Sequence, residues 1–284
     1  MSPRLQILAA ALLFSTGGAA IKTCAFTAWQ VASFRSAIAG LALFLLLRDG
    51  RRFWAPRPLA VGAAYAATML LFVSANKLTT AASTIFLQST APLYLLVLAP
   101  LLLGERIRRS DVAATLVLAI GLVAFFVGSE PTFATAPDPV RGNVLATLAA
   151  LTWAATILGL RWLARAEEPG AASAAVVAGN AIACVFALPF ALPVPSGRPL
   201  DWVVVGYLGL FQIGLAYVFL TRGVRRLPAF EVSLLLLVEP VLSALWAWLL
   251  HGERPGPWSA AGCAVILAAT AGRALRAARQ RAPV

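Results

Sequence analysis

Ten apolar stretches, each about as long as a helix that crosses a bilayer, follow one another through the chain with little between them. They run over 5–21, 28–47, 58–76, 81–103, 111–128, 142–163, 171–192, 200–221, 229–250 and 257–274. A helix satisfies its own backbone hydrogen bonds inside lipid, so the pattern predicts an all-α integral membrane protein. Composition agrees: 61% of the 284 residues are hydrophobic and mean hydropathy is +0.85, against about 45–50% apolar in a soluble domain. One water-surrounded core cannot hide that excess.

The net charge of +12 reads as loop arginines of a membrane protein and not as a nucleic-acid surface, because the basic residues follow loop parity. With the N-terminus cytoplasmic, the inside set is Arg4, then Arg48, Arg51, Arg52 and Arg57, then Arg106, Arg108 and Arg109. It continues with Arg161 and Arg165, with Arg222, Arg225 and Arg226, and ends with Arg273, Arg276, Arg279 and Arg281. The outside set is Lys22, Lys77, Arg141, Arg198 and Arg254, and Arg35 lies inside the second span. This asymmetry predicts that both termini are cytoplasmic. The first stretch has no long basic leader and no clear cleavage site, so it reads as a retained helix. Cys24, Cys184 and Cys263 have neither zinc nor disulfide spacing, and the single histidine is His251. No metal or cofactor is expected.

The two halves of the chain resemble each other. Pro92 precedes Gly104-Glu105-Arg106 at the same distance as Pro240 precedes Gly252-Glu253-Arg254, and both pairs share an offset of 148 residues. Lys77-Leu78 and Arg226-Leu227 match with a one-residue shift, and Phe14 and Trp153 hold similar places. The expected division is 1–128 and 142–284, with 129–141 as a linker and a basic tail at the end. Five spans per half is odd, so the second copy enters the membrane from the opposite side. Two inverted five-helix repeats around a central cavity suit a secondary transporter, since the halves exchange conformations to alternate access.

With these motifs, the chain resembles the EamA-type drug/metabolite transporters over essentially its whole length. The resemblance rests on Pro92 through Gly104-Glu105-Arg106, Glu239-Pro240 through Gly252-Glu253-Arg254, and Arg35. Within the family it is strongest to exporters of aromatic amino acids. It implies ten helices, a central cavity, export of amino acids or other metabolites, and a bacterial inner-membrane location. The expected partners are a small-molecule substrate and the lipid bilayer. A monomer suffices, and a dimer is open.

Several residues are candidates to carry transport. Pro92 and Pro240 remove backbone hydrogen bonds at matching places and either mark the binding site or sit at packed bends. Gln88, Gln212 and Asn180 are polar at mid-depth and bond either a substrate or a neighbouring helix. Tyr94 and Trp153 lie deep and pack against an apolar substrate or within the bundle. Trp29, Trp54, Trp202 and Trp258 lie near span ends, where aromatic belts form. Glu239 and Arg35 differ in depth by about 5 Å at 1.5 Å per residue, so they form a structural ion pair or a coupling site that takes a proton or a substrate amine. Glu105 and Glu253 either help close two gates or cap helix ends. A clustered catalytic set and a nucleotide-binding motif are missing from the sequence, which disfavours an intramembrane enzyme or an ATP-driven pump. A channel, or more remotely a receptor, stays open on sequence alone.

Overall fold

Every apolar stretch that the structure, a computed structural model, describes well is helical. The described residues are 1–47, 51–107, 136–165, 170–194 and 198–252, with a few positions between 112 and 120 and residues 261 and 264. Among them, eight helical runs are long and apolar enough to cross a membrane, and no strand is present. The protein is thus an all-helical, multi-span membrane protein. Apart from scattered positions, the expected fifth and tenth spans lie outside the described residues. Glu253, Arg254, Trp258 and Cys263 lie outside them as well.

In chain order the helices are α1 (Pro3–Ser15), α2 (Gly17–Thr23), α3 (Ala28–Leu46), α4 (Pro56–Leu78), α5 (Ala81–Gln88) and α6 (Ala91–Leu103). They continue with α7 (Pro139–Arg165), α8 (Ala171–Ala191), α9 (Pro199–Tyr207), α10 (Ala216–Val224), α11 (Ala229–Leu235) and α12 (Val238–His251). A π-helical turn over Leu208–Leu215 joins α9 to α10. Helix starts follow their local chemistry. Ser2 and Thr80 accept backbone N–H groups of the first turn, and Thr27 and Gln30 cap each other reciprocally. Gly104 and Gly252 end α6 and α12 in the left-handed conformation, at φ 62° and 67°, which a residue with a Cβ adopts at a cost.

Four expected spans are interrupted where the apolar pattern suggests continuous helices. The first breaks at Thr16, the fourth between Gln88 and Ala91, the ninth between Leu235 and Val238, and the eighth widens into the π turn. Hydropathy does not register such breaks, because the few polar residues at them are averaged into windows that stay strongly apolar. At Thr16 other segments take up the chain: Ser243 Oγ donates to the Ser15 carbonyl at 2.8 Å, and the Thr16 and Tyr207 hydroxyls lie 2.9 Å apart.

The segments before residue 128 and after 142 interlock. α4 packs against α7 and α8, α3 against α8, and α1 against α10 and α12. The main buried cluster draws on both sets, including Ile7, Phe14, Tyr65, Trp153, Tyr217 and Phe230. The outer surface keeps large apolar side chains exposed, among them Leu45, Leu101, Phe186 and Leu250. Contiguous apolar surface of this kind is compatible with lipid and not with water.

Candidate functional site

The breaks in the fourth and ninth spans follow from their prolines. Pro92 is the second residue of α6 and lacks the N–H that would bond the Gln88 carbonyl. Pro240, third in α12, likewise cannot bond Leu236, whose carbonyl takes the Glu239 N–H at 2.9 Å instead. Each proline therefore stands where one helix has ended and another begins. Gln88 is left at the end of α5 and Glu239 in the first turn of α12.

Two adjoining cavities open at these breaks. The first encloses about 330 Å³ including its mouth, and the second about 300 Å³. Gln88, Trp153 and Glu239 line both. Arg35, Gln212, Met69, Phe72 and Tyr217 line the first, and Ser89, Pro92 and Ser233 the second. Phe14 completes an aromatic wall: its ring meets Trp153 edge-on at 6.1 Å and Tyr217 at 5.2 Å. Such edge-to-face contacts hold rings in place while leaving a face free.

Arg35 and Glu239 face the same cavity, but no ion pair joins them, contrary to the structural-pair alternative. Arg35, on α3, is 0% exposed. Its Nη2 donates to the Met69 carbonyl at 3.3 Å and its Sδ at 3.4 Å, while Nε and Nη1 have no partner among the described residues. Gln212 Oε1 is also buried without a partner. Gln212 sits on the π turn, and such turns often mark functional sites because the extra residue re-aims a side chain.

The structure gathers Gln88, Gln212, Trp153, Glu239, Arg35 and Pro92 at one place. It does not bring Asn180, Tyr94 or Pro240 to the lining. Asn180 is fully buried between helices: its Nδ2 donates to the Tyr65 hydroxyl and to the Val176 carbonyl, both at 2.9 Å. That is the helix-to-helix reading. Tyr94 is half-buried and packs against the main apolar cluster, and Pro240 shapes the site through the backbone alone. Sequence reasoning did not single out Met69, Phe72, Ile213 or Tyr217 as lining residues. The glycines at 206, 209 and 214, unusually dense within one apolar stretch, were the available cue to the irregular eighth span. Among the described residues no group of His, Cys, Asp or Glu is arranged to hold a metal ion.

Polar contacts close the bundle at both ends. At the end that bears the N-terminus, Glu105 accepts from Arg161 at 3.1 Å, from Arg165 at 2.9 Å and from the Ala229 N–H at 3.0 Å. Arg4 pairs with Glu231 nearby at 2.6 Å. At the other end Asp201 accepts the Ala25 N–H at 2.8 Å, Thr79 donates to Asn143 at 3.0 Å, and His251 Nε2 lies 2.9 Å from the Ala19 carbonyl. Of the expected interfacial tryptophans, Trp54 and Trp202 are exposed, and Trp29 packs on Phe190 with ring centres 4.8 Å apart.

This architecture has relatives. The chain is 29% identical over 245 residues to the aromatic amino acid exporter YddG of Ancylobacter novellus, covering 85% of this chain and 83% of that one. It is 26% identical over 280 residues to the pseudopaline exporter CntI of Pseudomonas aeruginosa, covering 93% of each. A solved crystal structure superposes with a TM-score of 0.74 over 99% of both chains at 25% identity. The EamA-like transporter family profile matches residues 2–127 and again residues 140–273. The chain belongs to the EamA-like transporter family.

Proposed function

We propose that the protein is a secondary transporter that exports small metabolites, foremost amino acids with aromatic or other apolar side chains, by alternating access. The observation that carries this reading is the meeting of two proline-broken spans at one cavity lined by Trp153, Gln88 and Glu239. Helix breaks at matching places in two halves are where transporters bind their cargo. The aromatic wall suits an apolar side chain, and the polar groups suit the amino and carboxyl ends. In this reading 1–128 and 142–284 are inverted five-helix halves joined by 129–141, with both termini cytoplasmic in a bacterial inner membrane. The family match over 2–127 and again over 140–273 supports the division. Glu105 and its partners form the closure at the cytoplasmic end.

A second reading keeps the mechanism and changes the cargo. The pseudopaline exporter aligns over more of this chain than the amino acid exporter does, and the charged lining also suits a more polar metabolite. Counterflow in liposomes containing only this protein separates the two. Vesicles preloaded with unlabelled phenylalanine and given labelled phenylalanine outside are expected to accumulate label transiently. A steady downhill leak would mean a channel, and absence of uptake for every amino acid would leave the second reading.

A further inference from the structure

We propose that Arg35 is the receptor for a carboxylate on the transported molecule, which docks inside the cavity on guanidinium N–H donors that no group among the described residues uses. This rests on the transporter reading above and adds the chemical class of its cargo.

The chain itself contains the contrast that carries the inference. Arg161 is a structural arginine. Its Nε bonds Glu105 at 3.1 Å, and its Nη1 donates to the carbonyls of Val224 at 2.8 Å and Arg225 at 3.0 Å. Arg35 is buried more deeply and yet has only Nη2 engaged, at 3.3 Å or longer and on neutral acceptors. A guanidinium has five N–H donors and no acceptor. Here the donors on two of its three nitrogens are unused. An ionisable group at membrane depth is costly, faces a cavity and pairs with something. The acid that shares its cavity, Glu239, forms no ion pair with it, and Arg35 Nε and Nη1 have no partner among the described residues. The missing partner is then an anion that enters and leaves.

The rest of the lining narrows the anion. A carboxylate matches the planar donor set of a guanidinium better than a spherical ion does. Phe14, Trp153, Phe72 and Met69 surround the remaining space with apolar surface. The cavity-facing carboxylate of Glu239 and the unpartnered Gln212 Oε1 offer acceptors for an ammonium. The complement of this cavity is a zwitterion with an apolar side chain, held by its carboxylate at Arg35.

The test compares L-phenylalanine with L-phenylalaninamide, which keeps the ammonium and the ring but lacks the carboxylate. Binding is read as the shift in thermal unfolding of the purified protein in detergent. The wild type is expected to bind the acid at least about tenfold more tightly than the amide, the scale of one charge-assisted hydrogen-bonded contact. Arg35→Gln is expected to remove that preference, and Arg35→Lys, which keeps the charge and loses the fork, to retain it in weakened form. Equal binding of acid and amide by the wild type overturns the proposal without any variant, as does a preference that survives in Arg35→Gln. Counterflow is measured alongside. Acid preference without counterflow would defeat the transport reading alone, and counterflow without acid preference would defeat only the role of Arg35.

Discussion

Trp153 stands where the edge-on contacts of Phe14 and Tyr217 converge, and its own ring borders both cavities. Its removal therefore acts on binding and on stability together. Trp153→Ala is expected to abolish counterflow and to cost about 3–5 kcal/mol of stability. Trp153→Phe is expected to retain the fold and weaken substrate affinity, which a paired measurement of unfolding midpoint and KM resolves. Asn180 gives the opposite pattern, since its hydrogen bonds go to Tyr65 and Val176 and none reaches the cavity. Asn180→Ala should lower stability by about 1 kcal/mol, the usual worth of a hydrogen bond between membrane helices, and leave KM unchanged. Glu239 lines both cavities. Glu239→Gln should slow export and flatten its dependence on pH. An unchanged pH profile would remove Glu239 from any coupling role.

Elements shape the site by being discontinuous. α5 and α6 meet at Pro92, α11 and α12 meet near Pro240, and the π turn brings Gln212 and Ile213 to the same cavity. The π turn can lie close to α3 because residue 209 is glycine. A Cβ there would fall 2.7 Å from the Ile38 Cβ and 2.9 Å from the Arg35 carbonyl. Gly209→Ala is thus expected to push α3 and the π turn apart, at about 1–3 kcal/mol of overpacking. Because Arg35 rides on α3 and Gln212 on the turn, transport should fall further than stability does. A variant that loses stability but transports normally would mean that the spacing of these two elements is irrelevant to the site.

Across the whole molecule, one set of contacts closes each end of the bundle while the cavity lies between them. The Glu105 cluster joins α6 to α7 and to the start of α11, and so ties the segments on either side of 129–141 together. Glu105→Gln preserves the shape and removes both ion pairs. Loss of about 1–3 kcal/mol from one closed end should shift the open population by about 5–150-fold. The readout is thiol labelling at Ser233→Cys, a lining position of the second cavity, in a protein otherwise free of cysteine. Labelling should accelerate from the side that bears the N-terminus, and an unaltered rate would show that the cluster only staples helix ends.

Much of this molecule was legible in the chain because lipid imposes simple demands. A backbone that crosses hydrocarbon must be helical or closed, so long apolar stretches determined the all-α class. Pro92 and Pro240 stand where two helices break, and Gly104 and Gly252 where two end, because missing N–H groups and left-handed caps are local chemistry. Direction around a helix is not local. Gln88 and Asn180 are both polar residues at mid-depth, and only the packing of α4 on α8 aims Asn180 at Tyr65 while the break at Pro92 leaves Gln88 at the cavity. Likewise Arg35 and Glu239 come within reach of each other in depth by sequence alone. Tertiary structure decided that they share a cavity without pairing, because α4 packs so that Arg35 Nη2 turns to Met69 instead.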